Sequence, residues 1–218
     1  MKNVISDYEL MKIPVKESGE YLVSLKEYSK DLVIAINEFT KEYEQLKESE
    51  CYVRESVALM LAQVQSRLSQ GMRLKVVDGF RSLETQKKLY IMVFEELKQK
   101  NPTFSEEMLK LETDKWVANP STVPPHSTGG AIDLTIIDVE GNELPMGSSI
   151  NTISEKSVTD CENLSSEEKK NRSLLITIMS EAGFTNYPLE WWHWNYGDRM
   201  WAHFTGKEHG IYEGLEKR

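Results

Sequence analysis

The sequence is poor in cysteine and in long apolar runs. Its 218 residues include two cysteines, Cys51 and Cys161, which lie far apart. A disulfide-stabilised secreted scaffold is denser in cysteine, so we expect two reduced thiols. The longest unbroken apolar run, from Val57 to Ala62, is far short of the ~20 residues that a membrane-spanning helix needs. The first residues also lack the apolar core of a signal peptide. These absences predict a soluble, cytoplasmic protein that does not bind membranes.

The sequence also lacks an excess of positive charge. Its 26 Lys and Arg residues are outnumbered by 35 Asp and Glu residues, which gives a formal net charge of −9. Proteins that bind nucleic acids normally carry a basic surface, because their partner is a polyanion. The composition therefore argues against a nucleic-acid partner. Histidine is scarce as well, with four residues, so the positions of those four are informative.

Apolar residues in the first third recur every three or four positions, which is typical of one face of an α-helix. The first stripe comprises Leu25, Tyr28, Leu32, Ile36, Phe39, Tyr43 and Leu46, and the second comprises Val53, Val57, Met60, Leu61, Val64 and Leu68. Gly71 follows the second stripe, where a left-handed helix cap is expected. The pattern predicts a helical N-terminal portion over residues 1–70.

Beyond residue 70 the sequence alternates between strand-like and helix-like segments. Residues 73–80 alternate and are rich in β-branched side chains, which predicts a strand. Residues 131–139 and the aromatic-rich segment 184–196 have a similar strand-like composition. Helices are predicted after the N-cap residue Ser82 and after the capping box that begins at Ser165.

Two connections are too rich in loop-forming residues for regular structure. Residues 119–130 contain three prolines and two glycines, and residues 140–163 form a long polar stretch. A loop as long as residues 140–163 often covers a functional site. Helices followed by short strands with long connections predict an α+β fold, in which helices flank a central, mostly antiparallel sheet.

Two of the four histidines lie near acidic residues. His126 lies in the Pro/Gly-rich loop, and Asp133 follows at the start of the next strand, whereas Glu190 and His193 share the aromatic segment. Imidazole nitrogen and carboxylate oxygen are common zinc ligands, and three protein ligands leave a fourth position open, as in catalytic zinc sites. Two histidines and one carboxylate would supply those ligands. The remaining acid, Glu190, would then lie near the bound water.

Each segment is also compatible with a hydrogen-bonded surface pair of histidine and carboxylate. Glu190 and His193 would share a face on a helix, but they would lie on opposite faces of a flat strand. Pro188 disfavours a helix, so a bulge or turn is required for both side chains to point inward. The spacing alone leaves both interpretations open.

Three motifs resemble those of the zinc peptidases of the D-Ala-D-Ala dipeptidase and DD-carboxypeptidase group. They are Asp78-Gly-Phe-Arg-Ser82, the pattern His-x-x-Gly-x-Ala-x-Asp that begins at His126, and Glu-x-x-His that begins at Glu190. They occur in the family order within residues 78–198, and the last two look most similar to the vancomycin-resistance-type dipeptidases. The resemblance implies a DD-peptidase/Hedgehog-like fold. It also implies one zinc peptidase domain over residues 1–218, with the sheet and catalytic motifs in residues 71–218.

Carried over to this sequence, the resemblance implies His126, Asp133 and His193 as the ligands of one zinc ion. It implies Glu190 as the general base that activates zinc-bound water and then protonates the leaving amine. Arg81 is implied as the group that stabilises the oxyanion. The expected reaction is hydrolysis of the D-alanyl-D-alanine dipeptide by metal-activated water, and the expected partner is this small D-amino-acid dipeptide.

One position departs from the family pattern in a way that concerns substrate choice. The dipeptidase branch has an aspartate, associated with the substrate ammonium group, where this chain has Asn151. An asparagine can accept a hydrogen bond but carries no charge, so its role in substrate binding is weaker. A DD-carboxypeptidase or L,D-peptidase acting on muropeptides is therefore an alternative. A non-catalytic zinc-binding module is a second alternative, although the presence of both Glu190 and Arg81 favours an enzyme.

Overall fold

The computed structural model describes residues 5–36, 50–115, 117–152 and 154–217. The helices in these ranges are α1 (Asp7–Met11), α2 (Glu55–Arg67), α3 (Leu83–Lys100), α4 (Glu106–Thr113), α5 (Ser166–Glu181) and α6 (Arg199–Thr205). The strands are β1 (Leu22–Ser24), β2 (Val33–Ile34), β3 (Tyr52–Arg54), β4 (Arg73–Asp78), β5 (Ala131–Ile137), β6 (Thr185–Asn186) and β7 (His193–Asn195). None of these helices combines the length and the apolar character that crossing a bilayer requires.

A five-stranded sheet with the order β2-β4-β5-β7-β6 forms the centre of the fold. The β2–β4 pair is parallel, and the other three pairs are antiparallel. Strands β1 and β3 form a separate antiparallel pair. Side chains from α2 and α5 join the sheet in one apolar core, which includes Leu61, Leu134, Leu175 and Trp194. The predicted α+β fold with a mostly antiparallel sheet flanked by helices is confirmed.

The central strand β5 is buried at all of its seven positions. A strand covered on both faces is expected to be apolar throughout, and β5 follows this rule except at Asp133 and Thr135. Burying a carboxylate is costly unless it is paired and hydrogen-bonded. The single charged residue of the central strand, Asp133, must therefore have partners on the neighbouring elements.

The predicted helical N-terminal portion is wrong for the described part of the first stripe. Strand β1, a short 3₁₀ turn at Leu25–Glu27 and strand β2 occupy this region. Leu25 and Leu32 are buried as the periodicity indicated, but β2 consists of two β-branched residues that pair with β4, and such residues favour strands. The remaining stripe residues Phe39, Tyr43 and Leu46 lie outside the described residues.

The second stripe is confirmed in part: α2 buries Val57, Leu61 and Val64 in the core, whereas Val53 lies in β3 and Leu68 lies just beyond the end of the helix. Its predicted C-terminal cap at Gly71 is wrong: the helix ends at Arg67, and the next residue already has an extended backbone. Gly71 does have a left-handed conformation, with a φ of 91°, but it uses it in the turn that leads into β4.

Both predicted helix starts are confirmed by their hydrogen bonds. The Ser82 hydroxyl accepts from the backbone N–H of Thr85 at 3.0 Å, which caps α3. At α5 the Ser165 hydroxyl accepts from the N–H of Glu168 at 3.2 Å, and the Glu168 carboxylate accepts from the N–H of Ser165 at 2.7 Å. These contacts satisfy N–H groups that the first turn of a helix leaves without internal partners.

Replacing Ser165 with alanine is expected to lower the free energy of unfolding by about 1 kcal/mol, because α5 loses its N-cap acceptor. Urea unfolding measures the change. Ser173→Ala is the matched control, since Ser173 is exposed within the same helix and alanine has the higher helix propensity. An equal loss in both variants would show that the cap contributes nothing.

Candidate metal centre and active site

Three ligand-type side chains from three different elements converge at one end of the sheet. His126 comes from the 3₁₀ turn Pro125–Thr128, Asp133 from β5 and His193 from β7. Asp133 and His193 are directly opposite each other in the β5–β7 register, which places them on one face of the sheet. One ligand atom from each of the three lies within 4.8 Å of the other two. The described residues thus bring together the three ligands that the sequence predicts.

The aspartate lies between the two histidines. Asp133 Oδ1 is 2.9 Å from His193 Nδ1 and 3.5 Å from His126 Nε2. All three residues are buried, with 5 to 8% of their surface exposed. Burial alone would raise the pKa of Asp133, but the adjacent His126 and His193 hold it well below its usual range. Burial would likewise lower the pKa of His193, but the carboxylate of Asp133 raises it to about 9.

The second nitrogen of each imidazole ring has a hydrogen-bond acceptor. His126 Nδ1 lies 2.8 Å from the backbone oxygen of Gly79, and His193 Nε2 lies 3.1 Å from Oδ1 of Asn195. Because both oxygens only accept, these ring nitrogens carry the hydrogens. In the neutral rings, the lone pairs are then on His126 Nε2 and His193 Nδ1, which face Asp133.

This donor set fits a zinc ion. Two imidazole nitrogens and one carboxylate oxygen are typical zinc ligands, and second nitrogens bonded to backbone or side-chain oxygens are characteristic of metal-binding histidines. A cation would also neutralise the buried carboxylate of Asp133, while competing with a proton for His193.

Glu190 lies beside the cluster in the turn that precedes β7. Its Oε2 is 4.0 Å from His193 Nδ1, and its side chain is 34% exposed. The backbone N–H of His193 bonds to the Glu190 carbonyl at 3.2 Å, so the chain turns between the two residues. The sequence required such a turn for both side chains to point inward. Burial raises the pKa of Glu190 even though the charge of His193 opposes this, so the carboxyl is a stronger proton acceptor than an exposed one.

Arg81 lies between β4 and α3, and both its backbone and its side chain form hydrogen bonds. Its backbone N–H donates to the carbonyl of His126 at 3.1 Å. Its guanidinium donates to the carboxylate of Asp78 and, at 2.9 Å, to Oε1 of Gln86. The charge of Arg81 also acts on Glu190, where it lowers the pKa. A fixed cation therefore lies within electrostatic reach of Glu190.

The long connection after β5 packs against the segment that carries Glu190. Trp191 Nε1 donates to the Ser148 hydroxyl at 3.0 Å, and the backbone N–H of Trp191 donates to the carbonyl of Ser157 at 3.0 Å. The buried guanidinium of Arg172 in α5 donates to backbone carbonyls of this connection, those of Met146, Lys156, Val158 and Thr159. The connection is thus anchored at several points.

Asn151 lies in this connection and has a left-handed backbone with a φ of 61°. Asparagine tolerates this conformation better than most residues do. The structure gives Asn151 no described hydrogen bond to the three cluster residues. The other two histidines also lie outside the cluster: His203 is exposed on α6, and His209 contacts a neighbouring backbone carbonyl.

The sequence patterns do not reveal the residues that support the site. Asn195, Gln86 and the carbonyl of Gly79 make their contacts through the tertiary fold. A signal for Asn195 does exist, because residues two apart on a strand face the same side, and Asn195 follows His193 at that spacing.

The fold and the cluster together define an α+β protein with a candidate metal centre of two histidines and one carboxylate. The chain belongs to the D-ala-D-ala dipeptidase family, whose sequence profile matches residues 22–209. This match confirms the resemblance that the three motifs indicated.

Individual relatives match shorter parts of the chain. A D-alanyl-D-alanine dipeptidase of Synechocystis sp. is 40% identical over 102 residues, which are 42% of this chain and 41% of the relative. One from Enterococcus faecium is 44% identical over 70 residues, which are 32% of this chain and 35% of the relative. The matched segments thus span less than half the length of these relatives. Among solved structures, VanYB in complex with D-alanine-D-alanine is 17% identical, with a TM-score of 0.45, and the match covers 74% of this chain and 82% of that one.

Proposed function

We propose that this chain is a zinc-dependent dipeptidase that hydrolyses D-alanyl-D-alanine by direct attack of water on the peptide carbonyl. The observation that carries the proposal is the convergence of His126, Asp133 and His193, with Glu190 and Arg81 beside them. Relatives that are named D-alanyl-D-alanine dipeptidases support the substrate class. A cytoplasmic location belongs to the same proposal, because buried free cysteines are typical of a reducing compartment.

His126 Nε2, the Asp133 carboxylate and His193 Nδ1 would hold the metal, since their lone pairs face one another. Bound there, zinc supplies Lewis acidity, which makes water nucleophilic near neutral pH and polarises a peptide carbonyl. The hydrogen bonds from the histidines to Gly79 and Asn195 keep both rings oriented before any ligand arrives.

Glu190 takes the proton of the attacking water and delivers it to the leaving amine. Its position beside the cluster, its partial exposure and its raised pKa suit a group that both accepts and donates a proton. Arg81 places a permanent positive charge where the carbonyl oxygen becomes negative, and Asp78 and Gln86 hold it there. Because water attacks directly, no covalent intermediate with the protein forms.

The choice between a free dipeptide and a longer substrate depends on how the substrate ammonium group is bound. Asn151 offers that group a neutral oxygen, which stabilises it less than a carboxylate does. This residue favours the second candidate, a DD-carboxypeptidase or L,D-peptidase that acts on muropeptides. We place the dipeptidase first because the family profile and the named relatives agree on it.

Purified protein is expected to bind about one zinc ion per chain and to release D-alanine from D-Ala-D-Ala. Turnover should exceed that of L-Ala-L-Ala and of N-acetyl-D-Ala-D-Ala by about tenfold or more. Metal analysis and an amino-acid release assay measure these quantities. A chelator should abolish turnover, and added zinc should restore it.

The other outcomes separate the candidates. Faster hydrolysis of the N-acetylated peptide would assign the site to a carboxypeptidase. Bound zinc without turnover of any of these peptides would identify a non-catalytic module. A protein that binds no zinc would overturn the proposal as a whole.

A further inference from the structure

Asn195 is the hydrogen-bond partner of His193 on the side away from the metal-type cluster. Its Oδ1 lies 3.1 Å from His193 Nε2, and both residues are buried, with 0% of Asn195 and 5% of His193 exposed. The opposite ring nitrogen, Nδ1, lies 2.9 Å from Asp133 Oδ1.

The orientation of the Asn195 amide is determined by a second contact. Its Nδ2 donates to the sulfur of Met200 at 3.3 Å. A thioether sulfur accepts hydrogen bonds but cannot donate them. A flipped amide would place its oxygen against this acceptor, so the oxygen is the end that faces His193.

The backbone of Asn195 is also fixed by strand pairing. It lies opposite Ala131 of β5 on one side and Thr185 of β6 on the other, so β7 is an interior strand at this position. The side-chain oxygen that accepts from His193 therefore belongs to a residue whose strand is paired on both sides.

From these contacts we propose that Asn195 is a positioning residue, which keeps the hydrogen of His193 on Nε2 and so directs the Nδ1 lone pair to the metal site. The inference rests on the proposed function, because that function supplies the metal. If the hydrogen were on Nδ1 instead, the lone pair would point away from Asp133 and toward Asn195.

The residue type fits this role. Carboxylates of Asp133 and Glu190 already lie within 4.0 Å of His193 Nδ1. An amide supplies the acceptor without adding another negative charge. A further negative charge would stabilise a proton on the His193 ring, and that proton would compete with the metal.

Asn195→Leu keeps the branched shape of the side chain but removes the acceptor, and it is expected to weaken zinc binding by about 10- to 100-fold. Asn195→Asp restores an acceptor and should bind zinc at least ten times more tightly than Asn195→Leu. Thr113→Val is the matched control, because it removes a buried hydrogen bond in α4 and should leave zinc binding unchanged. Competition with a chromophoric chelator measures these affinities.

A second measurement uses the unaltered zinc-loaded protein. A proton–nitrogen correlation spectrum of its histidine side chains should show His193 with a slowly exchanging hydrogen on Nε2 and the metal on Nδ1. The metal on Nε2 would overturn the inference, even if Asn195→Leu fails to fold.

Equal zinc affinity in Asn195→Leu and the unaltered protein would also overturn the inference, as would equally weak binding in the leucine and aspartate variants. These outcomes differ from failure of the proposed function. In that case the unaltered protein itself binds no zinc or, with zinc bound, hydrolyses none of the peptides.

Discussion

Replacement of Glu190 by glutamine is expected to lower kcat for D-Ala-D-Ala by about 10²- to 10⁴-fold while leaving zinc content near one per chain. The substitution keeps the shape of the side chain but removes its ability to accept a proton. Glu190 Oε2 lies 4.0 Å from His193 Nδ1, beside the cluster rather than within it, so metal affinity should change little. Metal analysis and steady-state kinetics on the same preparation measure both quantities.

The matched control is Glu181→Gln, which makes the same chemical change at an exposed position at the end of α5. It should retain the full rate. If zinc-loaded Glu190→Gln hydrolyses the dipeptide at an undiminished rate, Glu190 is not the base. If it loses zinc as well, the residue belongs to the ligand set, and its assignment must change.

The candidate site could be predicted because three motifs of the sequence resemble those of a known family, and because histidine is rare in this chain. His126 and His193 are two of four histidines, and each has an acidic neighbour. Asp133 is the one charged residue of an otherwise mostly apolar strand, so its burial required partners. The spacing of the residues did not show whether Asp133 and His193 lie close together. The β5–β7 register shows that they do, because it places Asp133 opposite His193.

The N-terminal third could not be predicted in the same way, because the periodicity of apolar residues reports burial without fixing the secondary structure. Leu25 and Leu32 are buried, as the stripe required, yet they flank short strands that pair with distant segments. Pairings such as that of β2 with β4 join residues far apart in sequence. A local pattern carries no information about such a partner.

The contacts that support the site could not be predicted from the sequence for a related reason. Arg172 resembles a solvent-exposed helix residue in the sequence, but it is buried and donates to four backbone carbonyls of the long connection. Backbone acceptors have no residue signature. Gly79 is another example, because its carbonyl is what orients His126, and a side chain there would collide with Cys51 and with the backbone of Tyr52.

Replacement of Arg81 by alanine is expected to lower kcat/KM for D-Ala-D-Ala by about 10²- to 10³-fold, with zinc retained. The guanidinium is bonded to Asp78 and Gln86, and Gln86 is in turn fixed by donating to the carbonyl of Ala118 at 2.8 Å. The charge is therefore positioned before the reaction and needs no reorganisation as the oxyanion develops. Arg67→Ala, an exposed arginine at the end of α2, should leave the rate unchanged.

Arg81→Lys separates charge from geometry at this position. Lysine keeps the positive charge, but a single ammonium group cannot reproduce the guanidinium's fixed fork to Asp78 and Gln86. We expect an activity between those of the unaltered protein and Arg81→Ala. An alanine variant with full kcat/KM would exclude Arg81 from oxyanion stabilisation. A lysine variant as inactive as the alanine variant would show that orientation, and not charge alone, accounts for the effect.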